Sequence, residues 1–145
     1  MRIAATSTRC LVIEDGGFWT VTGSVRHAQH HPAPGWVEHD PEELLSNIRS
    51  VLESAGPVDA IGLSNQGESC LAWDALTGKA LSPVIVWQDA RTASSLAELD
   101  ASAEVRSKLV SGLPLDPYFS ASKLAWLLNN NPEVAAANAA GRLRL

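Results

Sequence analysis

The sequence predicts an α/β fold, and three observations carry that prediction. A β-hairpin pattern spans Thr8 to Val25, a capped amphipathic helix opens at Asp40 and leads to an apolar run from Val58 to Ser64, and alanine-rich helical runs follow from Ala93 onward. Strand, helix, strand in that order usually means a parallel pairing with a right-handed crossover. Composition agrees: of 145 residues, 46% are hydrophobic and 19% charged, the balance of one soluble globular domain or a piece of a larger one.

Each element has a local cause. Thr8 to Glu14 is rich in β-formers, Asp15-Gly16-Gly17 suits a tight reversal, and Phe18 to Val25 supplies the returning strand. The tract from His27 to Trp36 holds Pro32, Pro34 and Gly35, which forbid regular structure. Its histidines invite a metal reading, but no cysteine or acid joins them at ligand spacing, and no metal site is expected. Asp40 can then cap a helix, Pro41 loses nothing at its first position, and Glu43 completes a capping box. Leu44, Leu45, Ile48, Val51 and Leu52 follow at helical spacing, with Ser46, Asn47, Arg49, Ser50 and Glu53 on the opposite face.

Gly56-Pro57 is a turn pair, and Val58 to Ser64 reads as an apolar strand that runs out into Asn65-Gln66-Gly67-Glu68-Ser69. Ligands of open α/β sheets sit at the carboxyl ends of strands, so Glu68 is a first candidate for chemistry, against the plain alternative of a solvated loop carboxylate. Ser69 to Trp73 alternates, Asp74 to Lys79 is a turn, and the short strand Val84 to Trp87 ends in the polar Gln88-Asp89-Ala90-Arg91-Thr92. Helices are expected near Ala93 to Leu99, Ala103 to Ser111, Ser120 to Leu128 and Pro132 to Ala140. Tyr118 lies in a loop before the third of these, and by pattern alone it is a core-packing ring. The strand-like Arg142 to Leu145 and the few residues ahead of Ala4 to Thr8 lead to the expectation of a fold incomplete at both ends.

A net charge of −5 without a basic stripe makes nucleic acid a poor partner. No apolar window of membrane-spanning length and no signal-peptide core are seen, so no membrane association is expected and the cytoplasm is the expected compartment. Cys10 and Cys70 sit in apolar strand-like runs and are expected as free thiols. A homo-oligomer is left open.

Neither a Walker phosphate loop nor G-x-G-x-x-G is present. Five ordered motifs nevertheless stand out: Gly35-Trp36-Val37-Glu38-His39-Asp40-Pro41, Ser64-Asn65-Gln66-Gly67-Glu68-Ser69, Ala72-Trp73-Asp74 with Thr77-Gly78-Lys79, Ile85 to Ala93, and Asp116-Pro117-Tyr118-Phe119-Ser120-Ala121-Ser122-Lys123. With their order, the chain closely resembles the FGGY carbohydrate kinases, glycerol kinase-like members in particular, from about Thr6 to Leu145. The resemblance implies that residues 1–145 are the amino-terminal part of an actin-like ATPase (ribonuclease H-like) lobe, a mixed sheet with flanking helices.

The resemblance also implies ATP-dependent transfer of a phosphoryl group, with Mg2+, to a hydroxyl of a small polyol or sugar. It places Thr6, Ser7 and Thr8 at a hairpin turn that approaches the nucleotide phosphates, and Arg9 on a basic residue that contacts phosphate. Glu68 matches a carboxylate that accepts from substrate hydroxyls, Trp87 an aromatic wall for the carbon chain, and Tyr118 a hydroxyl partner. Gly67 stands where glycerol kinases carry an arginine, which points to a longer polyol or a sugar. Arg2 replaces the acidic residue of the family's first strand, and Ala4 and Ala5 replace the glycine and first threonine of its turn. The family's catalytic base falls beyond Leu145, so no catalytic residue is assigned and these 145 residues alone are expected to be inactive. The alternative is a non-catalytic binding or interaction module on the same fold.

Overall fold

The computed structural model describes residues 6–145. The expectation of a clipped first strand, with Arg2, Ala4 and Ala5, falls outside the described residues. The chain divides into two units: the segment up to Gln29 with His39–Gln66, and His30–Glu38 with Gly67–Leu145.

In unit one, β1 (Ser7–Ile13) and β2 (Trp19–Arg26) form the expected antiparallel hairpin. Its turn closes through Glu14 N–H to Phe18 O at 2.9 Å and Gly17 N–H to Glu14 O at 3.0 Å. Gly16 and Gly17 have φ of 96° and 82°, a region that costs other residues strain. Cys10 faces Gly23 while Leu11 faces Val21, so Thr22 is an extra residue, a β-bulge in β2.

Helix α1 (Pro41–Glu53) starts as expected, with the Asp40 carboxylate accepting from Glu42 N–H at 2.8 Å. Glu43 does not close a capping box: both its oxygens accept from Ala28 N–H at 3.2 Å, because that amide, just past the end of β2, offers a competing donor. The helix approaches the hairpin at Gly23, where a Cβ would lie 2.5 Å from Ser54 Oγ and 3.2 Å from Val51 Cβ. The buried stripe also differs from the expected one. Val51 and Asn47 are the buried residues of α1, whereas Leu45 and Leu52 are exposed. At 3.6 residues per turn the inward line runs through residues 44, 47, 48 and 51, and Leu45 and Leu52 fall on its far edge.

Val58 to Ser64 is not a strand. Ile61 and Leu63 are 66% and 81% exposed, and no ladder pairs this segment among the described residues. An extended segment becomes a strand only when a neighbour satisfies its N–H and C=O groups, so the expected parallel crossover does not appear.

In unit two, β4 (Trp73–Asp74) pairs antiparallel with β6 (Leu143–Arg144), and β5 (Val84–Ile85) lies beside Cys70 through Cys70 N–H to Ile85 O at 3.0 Å and the return bond at 2.8 Å. Strand β3 (Glu38–His39) falls at the boundary of the units. Helices α2 (Ala93–Ala97), α3 (Ala101–Ser111), α4 (Ser120–Asn130) and α5 (Pro132–Ala139) occupy the four expected runs. Gly112 ends α3 with φ of 75°, and Asn131 caps α5 while its side-chain amide donates to Leu81 O at 3.0 Å. The core is Cys70, Ala72, Ile85, Leu127 and Val134, with Leu81, Leu124 and Trp126 packed on it. Cys10 and Cys70 are free thiols. Among the described residues, no helix is long and apolar enough to cross a membrane.

Candidate functional site

The loop at Glu68 is built from strain and its compensation. Glu68 is the one non-glycine described with positive φ, at 61°, a conformation that costs on the order of 1 to 3 kcal/mol and persists where surroundings hold it. Its Oε2 accepts from Ser120 N–H at 2.7 Å. Ser120 opens α4, whose N-cap Phe119 offers no capping side chain, so a carboxylate 52 residues away caps the positive end of that helix. Hydrogen bonds from Ser120, aided by the charge of Lys123, hold the Glu68 carboxyl below its ordinary range. The group is therefore an anion near neutral pH. Beside it, a Cβ on Gly67 would meet nothing within 4 Å, so the space is open.

Neighbouring elements bring aromatic rings to this loop. Trp87 N–H donates to Ser69 Oγ at 3.2 Å, which ties the end of the Val84–Trp87 segment to the Glu68 loop. The Trp87 and Tyr118 rings meet edge to face with centroids 5.6 Å apart, and Tyr118 meets Phe119 at 5.2 Å. Tyr118 is 42% exposed, so the core-packing expectation is corrected: its backbone is held in a turn by the Asp116 carboxylate, at 2.8 Å from Tyr118 N, and the ring leaves that turn toward Trp87 and solvent. Glu68 also lines a cavity of about 630 Å³ bounded by Leu96, Leu99, Leu113 and Trp126, which neither Trp87 nor Tyr118 lines. Unit two thus brings Glu68, Trp87 and Tyr118 together.

Sequence reading assigned no role to the charge cluster beneath them. The Arg91 side chain is 1% exposed and pairs with Glu38 at 2.7 Å and with Asp89 at 2.8 Å. Its guanidinium lies 3.8 Å from the ring centre of Trp36 and 4.8 Å from that of Trp126, two cation–π contacts with rings that meet each other edge to face at 5.1 Å. Asp89 also accepts from Val37 N–H at 2.6 Å. Burial pushes the Asp89 carboxyl up, but the bonds from Arg91 and Val37 outweigh it and the net shift is down. Burial pulls Arg91 down, and its two carboxylates outweigh that, so its net shift is up. The polar run from Gln88 to Thr92 was the available signal; its partners Trp36 and Glu38 lie in or beside the stretch read as irregular.

The residues matched to the phosphate turn lie in unit one, within and just ahead of the start of β1. Ser7, Thr8 and Arg9 are strand residues opposite Arg26, Val25 and Ser24, and Thr6 O accepts from His27 N–H at 3.2 Å. A strand sends successive side chains to opposite faces, so Ser7 and Arg9 share one side and Thr6 and Thr8 the other. Among the described residues, no three His, Cys, Asp or Glu are grouped to hold a metal ion.

Comparison with known proteins follows the same outline. Residues 3–141 match the FGGY family of carbohydrate kinases, N-terminal domain. A glycerol kinase of Aromatoleum aromaticum is 44% identical over 147 residues, covering 95% of this chain and 30% of that protein. A glycerol kinase of Saccharopolyspora erythraea is 42% identical, with 95% and 29% covered. The crystal structure of Plasmodium falciparum glycerol kinase with ADP superimposes with a TM-score of 0.79 at 28% identity, over 95% of this chain and 29% of that one. A xylulose kinase from Brucella ovis gives a TM-score of 0.74 at 27% identity, over 97% and 30%. The chain spans about three-tenths of the length of the curated relatives it matches. The fold class expected from the sequence, an α/β amino-terminal part of an actin-like ATPase lobe, is the one these likenesses show.

Proposed function

Because this chain belongs to the FGGY family of carbohydrate kinases, we propose that it carries the acceptor-binding part of an ATP-dependent kinase that phosphorylates a hydroxyl of a polyol or sugar. The observation that supports this most is the grouping of the Glu68 carboxylate with the Trp87–Tyr118 ring pair, 5.6 Å between ring centres. A polyol needs acceptors for its hydroxyls and an apolar face for its carbons. Ser120 takes one acceptor position on Glu68, and a carboxylate has about four, so Glu68 keeps capacity for substrate hydroxyls. Trp87 presents an aromatic edge and Tyr118 a phenol.

Bound MgATP would supply the phosphoryl group and, through the metal, charge stabilisation of its transfer. Of the residues matched to the phosphate turn, Ser7 and Arg9 share a face of β1 and are the pair suited to meet a phosphate oxygen. The base that takes the hydroxyl proton is assigned to residues outside this chain, so the 145 residues by themselves should not turn over. A second reading is a non-catalytic binding or interaction module, because the base is assigned to residues outside these 145.

Gly67 sets the substrate class within this proposal. Open space beside Glu68 suits an acceptor longer than glycerol, and a Cβ added at Gly67 would meet nothing within 4 Å. A hydrogen bond to a charged group is worth about 1.5 to 3 kcal/mol, so the added guanidinium should shift preference toward glycerol by about one to two decades. The test is kcat/KM for glycerol, a tetritol and a pentose on the full-length protein, unmutated, as Glu68→Ala and as Gly67→Arg. Turnover that vanishes in Glu68→Ala supports the kinase site. Polyol binding without ADP release supports the module, and glycerol as the best substrate of the unmutated protein ends the case for a larger acceptor.

A further inference from the structure

Lys123 is wholly buried, with 0% exposure, in the first turns of α4. Its Nζ donates to Pro117 O at 2.9 Å and to Tyr118 O at 2.6 Å, two successive neutral carbonyls. A buried ammonium is costly, and an apolar chain of similar length would fill the same volume at less cost. The lysine does what such a chain cannot: it clamps the peptide that carries Tyr118. The same short segment is held at Tyr118 N by Asp116 and at Ser120 N by Glu68, so three side chains hold the backbone of Pro117, Tyr118 and Ser120.

We propose that Lys123 is a positioning residue of the acceptor site. It sets Tyr118 against Trp87 and joins that ring pair to Glu68 through the segment 116–120. This rests on reading Glu68, Trp87 and Tyr118 as the polyol or sugar site. Cys70, Asp89, Glu68 and Asp116 act on the Lys123 charge, and all of them counter the effect of its burial. Lys123 acts on substrate through Tyr118 and contributes no group to the reaction.

Tyr118 is the single tyrosine of the chain, so 3-fluorotyrosine incorporation yields one fluorine resonance that reports it alone. In Lys123→Met that resonance should move more than halfway to its denatured position, and the Tyr118–Trp87 ring NOE should disappear. The Val134 methyl signals and the far-ultraviolet circular dichroism should stay as they are. Lys123→Gln, neutral but still a donor, should recover part of the native shift. A merely structural role would lower the melting temperature and leave the native-state fluorine shift unchanged, and that result in Lys123→Met overturns the proposal. Should Lys123→Met fail to fold, Lys123→Leu, which also lacks the donor, decides in its place: a native fluorine shift with an intact NOE overturns the proposal equally. Titration of the unmutated chain with a tetritol separates the two levels. No fluorine response to polyol sinks the substrate reading, whereas positioning by Lys123 is decided by the variants alone.

Discussion

Arg91 and Lys123 are both buried cations of unit two, and their surroundings differ in kind. Arg91 is met by two carboxylates and two indole rings, and its net shift is upward. Lys123 meets two carbonyl oxygens, and burial drives its net shift downward. Equal burial therefore has opposite electrostatic consequences, decided by whether full opposite charges or only dipoles stand at hydrogen-bond distance. The difference matches the tasks argued for each. Arg91 locks three distant pieces of unit two, Trp36–Glu38, Asp89 and Trp126, into one body. Lys123 shapes one loop.

The largest break of this comparison is Arg91→Met. It leaves Asp89 buried and Glu38 nearly so without their partner, which costs about 3 to 5 kcal/mol. Denaturant unfolding should show a matching loss of midpoint, and near-ultraviolet circular dichroism should lose the Trp36 and Trp126 signal. An intact midpoint would mean that the Arg91 cluster adds nothing to stability.

A smaller effect comes from acid. The Asp89 carboxyl is depressed in the folded state, so its contribution is fully present above the ordinary value of 3.8 and is lost as pH falls through the lowered one. Unfolding curves from neutral to strongly acid pH should show this loss, and Asp89→Asn should flatten part of the slope. A variant with the same acid slope as the unmutated chain would remove Asp89 from the explanation.

The smallest effect is expected at Lys123. Lys123→Met trades an ill-paired charge for an apolar chain and should change stability by only about 1 kcal/mol. Its sharper signature is in alkali. The folded-state pKa of Lys123 is lowered, so the unfolded chain holds that proton longer, and stability gains as pH rises from the lowered value toward the ordinary 10.5. Lys123→Met should lack this gain, and Arg91, whose shift is upward, should contribute none. An identical alkaline profile in the variant would contradict the burial argument.

Much of the fold was legible from short-range chemistry. The hairpin followed from Asp15-Gly16-Gly17, the start of α1 from Asp40-Pro41, and the stops from Gly112 and from Asn131-Pro132, each a matter of a few bonds within a few residues. The site was half legible. Glu68, Trp87 and Tyr118 were named in advance, yet nothing local tells that Glu68 caps α4 or that Tyr118 leaves its turn outward. Lys123 lies within a motif, but nothing in its pattern tells that its ammonium is buried against the carbonyls of Pro117 and Tyr118.

The sequence by itself determined where the chain turns, caps and breaks, and its five motifs were enough to point to the family. Tertiary structure alone decided which charges are buried and with whom. Arg91 meets Glu38 across 53 positions, and Glu68 meets Ser120 across 52. It also decided that Val58–Ser64, apolar as it is, forms no strand here. The physical reason is common to all three. The Asp40 cap or a glycine turn is completed by neighbours in sequence, whereas a strand, an ion pair or the cap that Glu68 gives α4 is completed only by groups that folding brings from elsewhere.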